Sequence, residues 1–466
     1  MNTGTGGTHT GTTTILGNNV VFNRGTHAFA DGSTVDGRVV VSGATVNFGD
    51  VRMLGALDFQ SGAVNVLSGK TLATGPSSVA VLDSKTIGGG GTISNEGSLT
   101  LNGVTIVGNL INRGAITVQG STSTVTGSNT RIDLLDGSRL TLAPGASLAK
   151  DGGTVNWIGG ALGGTGTLDL RLLNGATLAL GSGSKFLDGP TLSLSDLDLD
   201  GTLTLSNGTL NIDGTTRINP GAFLNLSGGT LNAGTVNNDG VMTVSAGSVS
   251  LDGGGTHSGT FMVGDGAAIR FDGGTHTFAG GSSVIASLTT GKAVVDGSTV
   301  NIAGPVQMAN LDLVSGEITG AGSLTIGRQF NWTGGRQSGT GQTVVAETAS
   351  MAISGANDKS LETRTLVNDS VTGSTWTGTG AIDAQIPSNA LSTFVNNGRF
   401  TIDTDAPWLD GFLVNNGTIV KTGGAGIQVF NDESGGLSNA GLIDVRAGTL
   451  LLRGTGAHTG AFQIAD

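Results

Sequence analysis

Residues Leu437 to Val445 read Leu-Ser-Asn-Ala-Gly-Leu-Ile-Asp-Val and contain the short pattern from which the fold is predicted. The pattern is apolar-x-Asn-x-Gly-x-apolar-x-apolar, where x is any residue. Because all marked positions have the same parity, an extended chain would turn their side chains to one face and the polar residues to the other. Glycine permits positive φ and asparagine tolerates the left-handed region, so Asn-x-Gly predicts a bend that keeps this inward register.

Six copies of the pattern occur, and the copy that begins at Leu413 departs at its last place, where Lys421 replaces an apolar residue. The predicted turn and ladder residues are Asn95, Gly97, Asn112, Gly114, Asn238, Gly240, Asn396, Gly398, Asn415, Gly417, Asn439 and Gly441. Neighbouring glycines in this set are 17, 19 or 24 residues apart within the local clusters. Periods near 20 residues are typical of stacked coils.

These spacings predict an all-β protein, a parallel β-helix (β-solenoid) of about 20 coils of roughly 17–24 residues each. A single coil cannot bury its apolar face, whereas stacked coils pair their strands at about 4.8 Å and align the inward side chains in ladders. We therefore expect residues 1–466 to form one continuous solenoid, a rod on the order of 100 Å long.

A longer repeat is superimposed on the short one. The Gly-Thr-His segment from Gly7 to Ser33 returns from Gly255 to Ser282, and Asn156–Gly160 returns as Asn331–Gly335. The opening of the segment appears a third time at Gly456. The predicted tandem modules are residues 7–254 and 255–455, with the start of a third at 456–466, so we expect the chain to be a fragment of a longer protein.

The composition excludes several classes of protein. The chain has 466 residues, 84 of them glycine, with no cysteine and a formal net charge of −12. A disulfide framework and a thiolate metal site are impossible without cysteine. The acidic charge disfavours nucleic acid and anionic membranes as direct partners, and no apolar run approaches the roughly 20 residues that cross a bilayer.

Several segments resemble a known family. The run from Asn439 to Leu450, the Gly-Thr-His pairs and Asn331–Gly335 are similar to repeat regions of very large bacterial surface proteins of the filamentous-haemagglutinin-like or autotransporter type. The resemblance implies an extracellular, right-handed β-helix passenger that displays binding surfaces. The secretion domain and the membrane barrel of such proteins have no counterpart in this sequence.

All five histidines lie in Gly-Thr/Ala-His motifs, and the pairs His9/His27 and His257/His276 are 18 and 19 residues apart. This separation is close to one coil, so each pair could stack and bind a divalent metal. Stacked turn residues explain the same pattern without a metal, and this is the interpretation we favour. The sequence predicts no cofactor and no metal site.

Two acidic clusters are candidate contact residues. Asp196, Asp198 and Asp200 alternate with leucines and would lie on one strand face, where they could bind Ca²⁺ or act as the paired acids of a polysaccharide hydrolase. Asp403 and Asp405 precede Trp408, which could stack on a sugar. A solvated outer face and a packed tryptophan are the simpler explanations and the ones we favour. Residues 358–390 are the least regular and suggest an inserted loop.

The sequence thus predicts a non-enzymatic protein of the cell surface or extracellular space, an adhesin-type stalk that attaches to cells, glycans or matrix. A β-helix polysaccharide lyase or hydrolase is one alternative. A structural filament or matrix subunit that associates end to end is another, because unpaired strand edges can recruit further strands.

Overall fold

The strands follow from a composition rich in glycine and β-branched residues, which destabilise helices and favour extended chain and tight turns. The computed structural model describes residues 2–3, 5–16, 19–164, 170–173, 177–180, 183–189, 191–194, 196–286, 290–384, 392–430 and 435–465. Over these residues the chain forms 61 short β-strands and no helix. The fold is a parallel β-solenoid of about 21 turns, which confirms the predicted fold class. The right hand of the helix stays a prediction.

The chain divides into two compact units, each described here by itself. Unit 1 comprises Met1–Leu194, Asp198–Asn211 and Phe223–Thr230, and unit 2 comprises Ser195–Leu197, Ile212–Ala222 and Leu231–Asp466. The tandem modules inferred from the sequence have other boundaries and stay a prediction.

Unit 1 contains three parallel ladders. The first joins Asn2–Thr3, Val20–Phe22, Val39–Phe48, Ala56–Val66, Val79–Asp83, Ser98–Asn102, Ala115–Val118, Arg139–Leu142, Gly160–Gly164, Ser184–Asp188, Thr202–Leu205 and Phe223–Leu226. The second joins Gly7–His9, Thr26–Phe29, Val39–Phe48, Ala56–Val66, Thr86–Gly88, Thr105–Val107, Ser123–Thr126, Leu148–Asp151 and Leu170–Leu173. The third joins Thr12–Thr14, Ser33–Asp36, Val51–Met53, Thr71–Thr74, Thr92–Asn95, Asn109–Asn112, Arg131–Leu134, Thr154–Trp157 and Thr177–Leu180.

Unit 2 repeats this three-sided arrangement. Its first ladder joins Val241–Val244, Thr260–Val263, Ser283–Ala286, Val306–Leu313, Ser323–Trp332, Gln342–Val345, Thr365–Asn368, Thr393–Asn396, Gly411–Asn415 and Gly435–Asn439. Its second joins Ser248–Leu251, Ala268–Phe271, Lys292–Val295, Val306–Leu313, Ser323–Trp332, Ser350–Ile353, Ser374–Thr377, Arg399–Asp403, Thr418–Gly423, Leu442–Val445 and Ala461–Ile464. Its third joins Gly255–His257, Thr275–Phe278, Thr299–Ile302, Glu317–Thr319, Gly335–Gln337, Lys359–Leu361, Ile382–Asp383, Trp408–Leu409, Ile427–Phe430 and Thr449–Leu452. The remaining strands are Thr191–Leu194, Leu197–Leu199, Thr209–Ile218 and Thr230–Asn238.

The inward side chains form columns along each ladder. In unit 2, Leu366 pairs in register with Phe394, Phe394 with Leu413, and Leu413 with Leu437. All four side chains are buried. Alternate residues of these strands point outward, as the two-residue period of an extended chain requires. The predicted alignment of inward apolar residues is therefore confirmed within this unit.

Glycine closes the corners for a different reason from the one that the sequence suggested. None of the six pattern glycines has positive φ, and none of the six asparagines is left-handed. At Gly417, for example, an added Cβ would lie closer than 3.0 Å to the carbonyl oxygen of Gly398, and at Gly441 it would meet the carbonyl oxygen of Gly417 in the same way. Glycine is required because the backbones of successive corners stack too closely to admit a side chain.

Two further expectations need correction. The turn from Asn368 to Asn396 has 28 residues, which is longer than the predicted 17–24. Residues 358–384 also form regular strands rather than a loop, among them Lys359–Leu361 and Thr365–Asn368. The rest of the suggested loop, residues 385–390, lies outside the described residues.

Candidate functional site

All six pattern asparagines are buried, and all except Asn238 bond to another asparagine along the solenoid. In unit 2 the Nδ2 of Asn368 donates to Oδ1 of Asn396 at 2.7 Å, Asn396 donates to Asn415 at 2.8 Å, and Asn415 donates to Asn439 at 2.7 Å. In unit 1 Asn95 donates to Asn112 at 2.9 Å. An amide both donates and accepts, so each side chain can satisfy the next. These residues form the inner scaffold and are not available to a ligand.

The histidine pair of unit 2 is a closed hydrogen-bonded unit. His257 Nε2 lies 3.1 Å from His276 Nδ1, and His276 Nε2 lies 3.1 Å from the carbonyl oxygens of Leu251 and Gly273. His276 Nε2 must therefore carry a hydrogen, which makes its Nδ1 the acceptor from His257. Burial, with a smaller effect from His276, lowers the pKa of His257 to about 3. Burial also lowers the pKa of His276.

The histidine pair of unit 1 has the same geometry in a more open setting. His9 Nε2 lies 3.4 Å from His27 Nδ1, and His27 Nε2 lies 3.2 Å from the carbonyl oxygen of Arg24. Burial, followed by the charge of His27, lowers the pKa of His9. In both pairs the nitrogens that face each other are engaged in one hydrogen bond. Across the described part of the chain, no three His, Cys, Asp or Glu residues are grouped so that they could hold a metal ion.

The carboxylates of Asp196, Asp198 and Asp200 are exposed, whereas Leu197 and Leu199 between them are buried. Asp196 accepts a hydrogen bond from the backbone of Thr215 at 2.7 Å. The alternation is what an outward polar face above an inward apolar face produces. These three residues therefore remain candidates for surface contact.

Trp408 does not lie at the surface. Its side chain is 0% exposed, and Nε1 donates to the carbonyl oxygen of Asp410 at 2.8 Å. The alternative in which this ring stacks on a sugar is wrong and the favoured interpretation of a packed tryptophan is confirmed, because inward parity places the ring in the core against Phe394 and Phe430. The other three tryptophans, Trp157, Trp332 and Trp376, are also buried.

The carboxylate of Asp405 is also engaged. It accepts from the backbone of Gly426 at 2.9 Å and pairs with Lys421 Nζ at 3.1 Å. The backbone hydrogen bond and the Lys421 ammonium hold the pKa of Asp405 below its usual value. This residue therefore stays ionised and fixes a corner.

Five cationic side chains that are buried within the described residues were not predicted as a group. They are Lys150, Lys185, Lys359, Arg364 and Lys421. Each donates to at least one backbone carbonyl oxygen at a corner. Lys421 Nζ, for example, lies 3.1 Å from the carbonyl oxygen of Thr404 and 2.7 Å from that of Gly423. The parity of these residues within their strands could have predicted their burial. A lysine at an inward position must be buried and must therefore have hydrogen-bond acceptors.

Arg364 is the most extensively bonded of these cations. Its guanidinium donates to the carbonyl oxygens of Gly320, Gly322, Ser338 and Gln342 at 2.8–3.3 Å. Nε donates to Thr343 Oγ1 at 2.9 Å. Burial lowers the pKa of Arg364 to about 10. Arg364, which lies in the segment that the sequence suggested as an inserted loop, therefore links the corners of several turns.

Unit 2 also contains an open groove of about 380 Å³ on its outer surface, which we call the outer groove. It forms where Ser283–Ala286 pairs with Val306–Leu313 through only two residues, and where the latter strand has an irregular register after Met308. A bulge bends a strand away from its neighbour. The groove is lined in part by Ile285, Gln307, Met308, Ala309, Thr325 and Arg328.

Comparison with known proteins adds no relative. No protein family, no curated protein and no solved structure matches the chain. None of the described segments forms an apolar helix of the length needed to span a bilayer.

Proposed function

We propose that this chain is a non-enzymatic adhesion protein of the bacterial cell surface or extracellular space, in which a β-solenoid presents an outer surface to cells, glycans or matrix. The proposal draws on the solenoid itself and on the resemblance of its repeats to adhesin passengers. The partners and the location are part of the proposal.

The observation that carries the proposal is that the inward face of each strand has a structural role, whereas the outward face does not. Inward positions are committed to columns such as Leu366, Phe394 and Leu413, and corners are committed to stacked glycine and asparagine. Outward positions are free of these constraints and can vary without altering the fold. A partner would therefore meet outward side chains repeated over many turns, and weak contacts could add through avidity.

Exposed aromatic side chains give this outer surface sites for contact. Phe186 and Phe223 in unit 1 are 44% and 43% exposed, and Phe412 in unit 2 is 39% exposed. Most outward neighbours are small and polar, for example Thr204, which pairs in register with Phe186. Exposed aromatic rings among hydroxyl groups are suited to contact with proteins or sugars.

The proposal is tested by measuring binding of the fluorescent chain to cultured cells, to immobilised matrix proteins and to a glycan array. We expect saturable binding to at least one of these that excess unlabelled chain competes away. A Phe186→Ser and Phe223→Ser double variant should test the contribution of the exposed rings, with Asn225→Ser, an outward position on the same strand as Phe223, as a surface control. Binding no stronger than that of an unrelated protein of equal net charge would contradict the proposal.

An assay of polysaccharide cleavage and electron microscopy test the two alternative functions, a polysaccharide lyase or hydrolase and a filament subunit. Release of reducing ends or unsaturated products from acidic polysaccharides, lost on Asp198→Asn substitution, would replace adhesion by catalysis. Regular fibrils of the purified chain under the electron microscope would favour a filament subunit, whereas separate particles would not.

A further inference from the structure

The outer groove of unit 2 contains polar groups that the protein itself does not use. Within the described residues, the side chains of Gln307, Thr325 and Arg328 make no hydrogen bond or ion pair. Gln307 and Thr325 are register partners on adjacent turns, so their amide and hydroxyl lie side by side. An amide, a hydroxyl and a guanidinium therefore converge on one groove with their hydrogen-bonding capacity free.

Several charged groups on the outer surface of this unit are paired between turns. Lys292 Nζ lies 2.5 Å from Asp312 Oδ2, and Asp312 Oδ1 accepts from Asn331 at 2.6 Å. Arg336 pairs with Glu317 at 2.9 Å. Arg328 differs from these cations because it has no carboxylate partner among the described residues. An unpaired guanidinium in a protein of net charge −12 is a local site for an anion.

The rest of the groove is apolar. Ile285 is 47% exposed, and Met308 and Ala309 line the same space. The groove volume of about 380 Å³ lies at the lower end of the range of small-molecule sites, which combine apolar walls with a few directed polar groups. One or two sugar rings fit this description, since a pyranose has an apolar C–H face and a rim of hydroxyl groups.

We propose that the outer groove binds a glycan through a sugar that carries a carboxylate. Arg328 pairs with the carboxylate, because a guanidinium matches the two carboxylate oxygens with two parallel hydrogen bonds. Gln307 and Thr325 bond the neighbouring hydroxyls, and Ile285 with Ala309 contacts the C–H face. This inference rests on the proposed adhesive function and names the ligand class for one of its surfaces.

The test compares two oligosaccharides of the same length and linkage, one ending in glucuronate and the other in glucose. Isothermal titration of the full chain should show at least about tenfold tighter binding of the glucuronate form, equivalent to about 1.4 kcal/mol. Arg328→Gln should reduce this preference to near unity. Arg217→Gln is the matched control, because Arg217 is also exposed and free of ion pairs among the described residues of unit 2.

A second variant separates the apolar contact from the charge contact. Ile285→Ser should weaken both oligosaccharides by a similar factor and leave their ratio unchanged. The circular dichroism spectrum and the thermal midpoint of each variant should match those of the natural chain. The reason is that the side chains of Arg328 and Ile285 make no hydrogen bond or ion pair in the described residues.

Three outcomes overturn the inference. They are equal affinity for the two oligosaccharides, equal effects of the Arg328 and Arg217 substitutions, and displacement of the sugar by a short acidic peptide at equal concentration. If the chain binds cells or matrix proteins but neither oligosaccharide, the groove assignment is wrong and the adhesive function stands. If the chain binds none of these, both proposals are wrong.

Discussion

The corners of unit 2 have two sequence forms, Asn-x-Gly and His-x-Gly, which differ in their hydrogen bonds between turns. In the asparagine column, Asn396, Asn415 and Asn439 pass a hydrogen bond from turn to turn. At the other form, His257-Ser258-Gly259, histidine takes the position that Asn238 occupies one turn earlier, and the two residues are register partners.

The hydrogen-bond chain continues through asparagine but ends at histidine. Asn238 Oδ1 and His257 Nδ1 are both buried, and neither has a hydrogen-bond partner among the described residues. An amide offers a donor and an acceptor on one short side chain, whereas a neutral imidazole has a single donor, which His257 directs to His276. Asparagine can therefore repeat over any number of turns, while a histidine pair terminates the column and introduces a group that titrates.

The largest expected effect comes from the glycine that both corner forms share. Gly417→Ala places a Cβ closer than 3.0 Å to the Gly398 carbonyl oxygen, and backbone atoms cannot move aside as a flexible side chain would. We expect the free energy of unfolding to fall by about 3 kcal/mol, the upper part of the range for overpacking. Urea unfolding followed by tryptophan fluorescence measures this change, since all four tryptophans are buried.

The control for this substitution is Gly327→Ala, where no atom lies nearer than 4.0 Å to the added Cβ. A shift of the urea midpoint that is equal for both variants would show that close stacking of the corners does not explain the glycine.

A smaller effect is expected when the asparagine column is interrupted. Asn415→Ala removes the donor to Asn439 Oδ1 and to the Leu442 carbonyl, and the acceptor for Asn396. Loss of a partner for buried polar groups should lower the free energy of unfolding by about 2 kcal/mol. The neighbouring Asn416→Ala removes an exposed bond to Asn397 and should cost less than about 0.5 kcal/mol. If the two variants unfold at the same urea concentration, the column is not a stabilising element.

The smallest effect distinguishes the histidine form by pH. His257 has a pKa of about 3 in the folded chain, whereas a histidine in an unfolded chain titrates near 6.5. Between these values the unfolded state binds a proton that the folded state does not, so stability is complete above about pH 6.5 and falls as the pH decreases. One pH unit below 6.5 the loss is about 1.4 kcal/mol.

The comparison variant is His257→Asn, which restores the asparagine form of the corner. We expect its free energy of unfolding to fall by about 1 kcal/mol less than that of the natural chain between pH 7 and pH 5.5. The difference between the two chains isolates His257 from the carboxylates and from His276, whose pKa burial also lowers. Identical pH profiles would mean that His257 is not buried as a neutral ring.

Sequence periodicity predicted the scaffold well because each marked residue has a strict geometric role. The common parity of Leu413, Asn415 and Gly417 predicted that the first two side chains point inward and that the third position carries no side chain. The same requirement recurs in each turn because the turns stack in register. The physical reason for glycine was nevertheless wrong, since close approach between turns cannot be seen within one turn. Trp408 was kept as a candidate contact because neighbouring acids suggested a surface, although parity placed the ring inward.

The candidate contacts were harder to predict. Ile285, Gln307 and Arg328 belong to none of the short repeated motifs, and nothing in their spacing brings them together. The outer groove exists because two neighbouring strands pair over only two residues before they diverge. Local sequence patterns describe regular pairing, and they contain no information about where pairing fails.

The amino-acid sequence was sufficient to predict a parallel β-solenoid, because the alternation of side chains, the corner residues and the period all act within a single turn or between adjacent turns. The tertiary structure alone decided which polar groups are satisfied, such as Arg364 in the core, and which are left free, such as Arg328 at the surface. Satisfaction of a hydrogen bond depends on atoms from turns about 20 residues away or more, and only the register of the completed stack brings those atoms together.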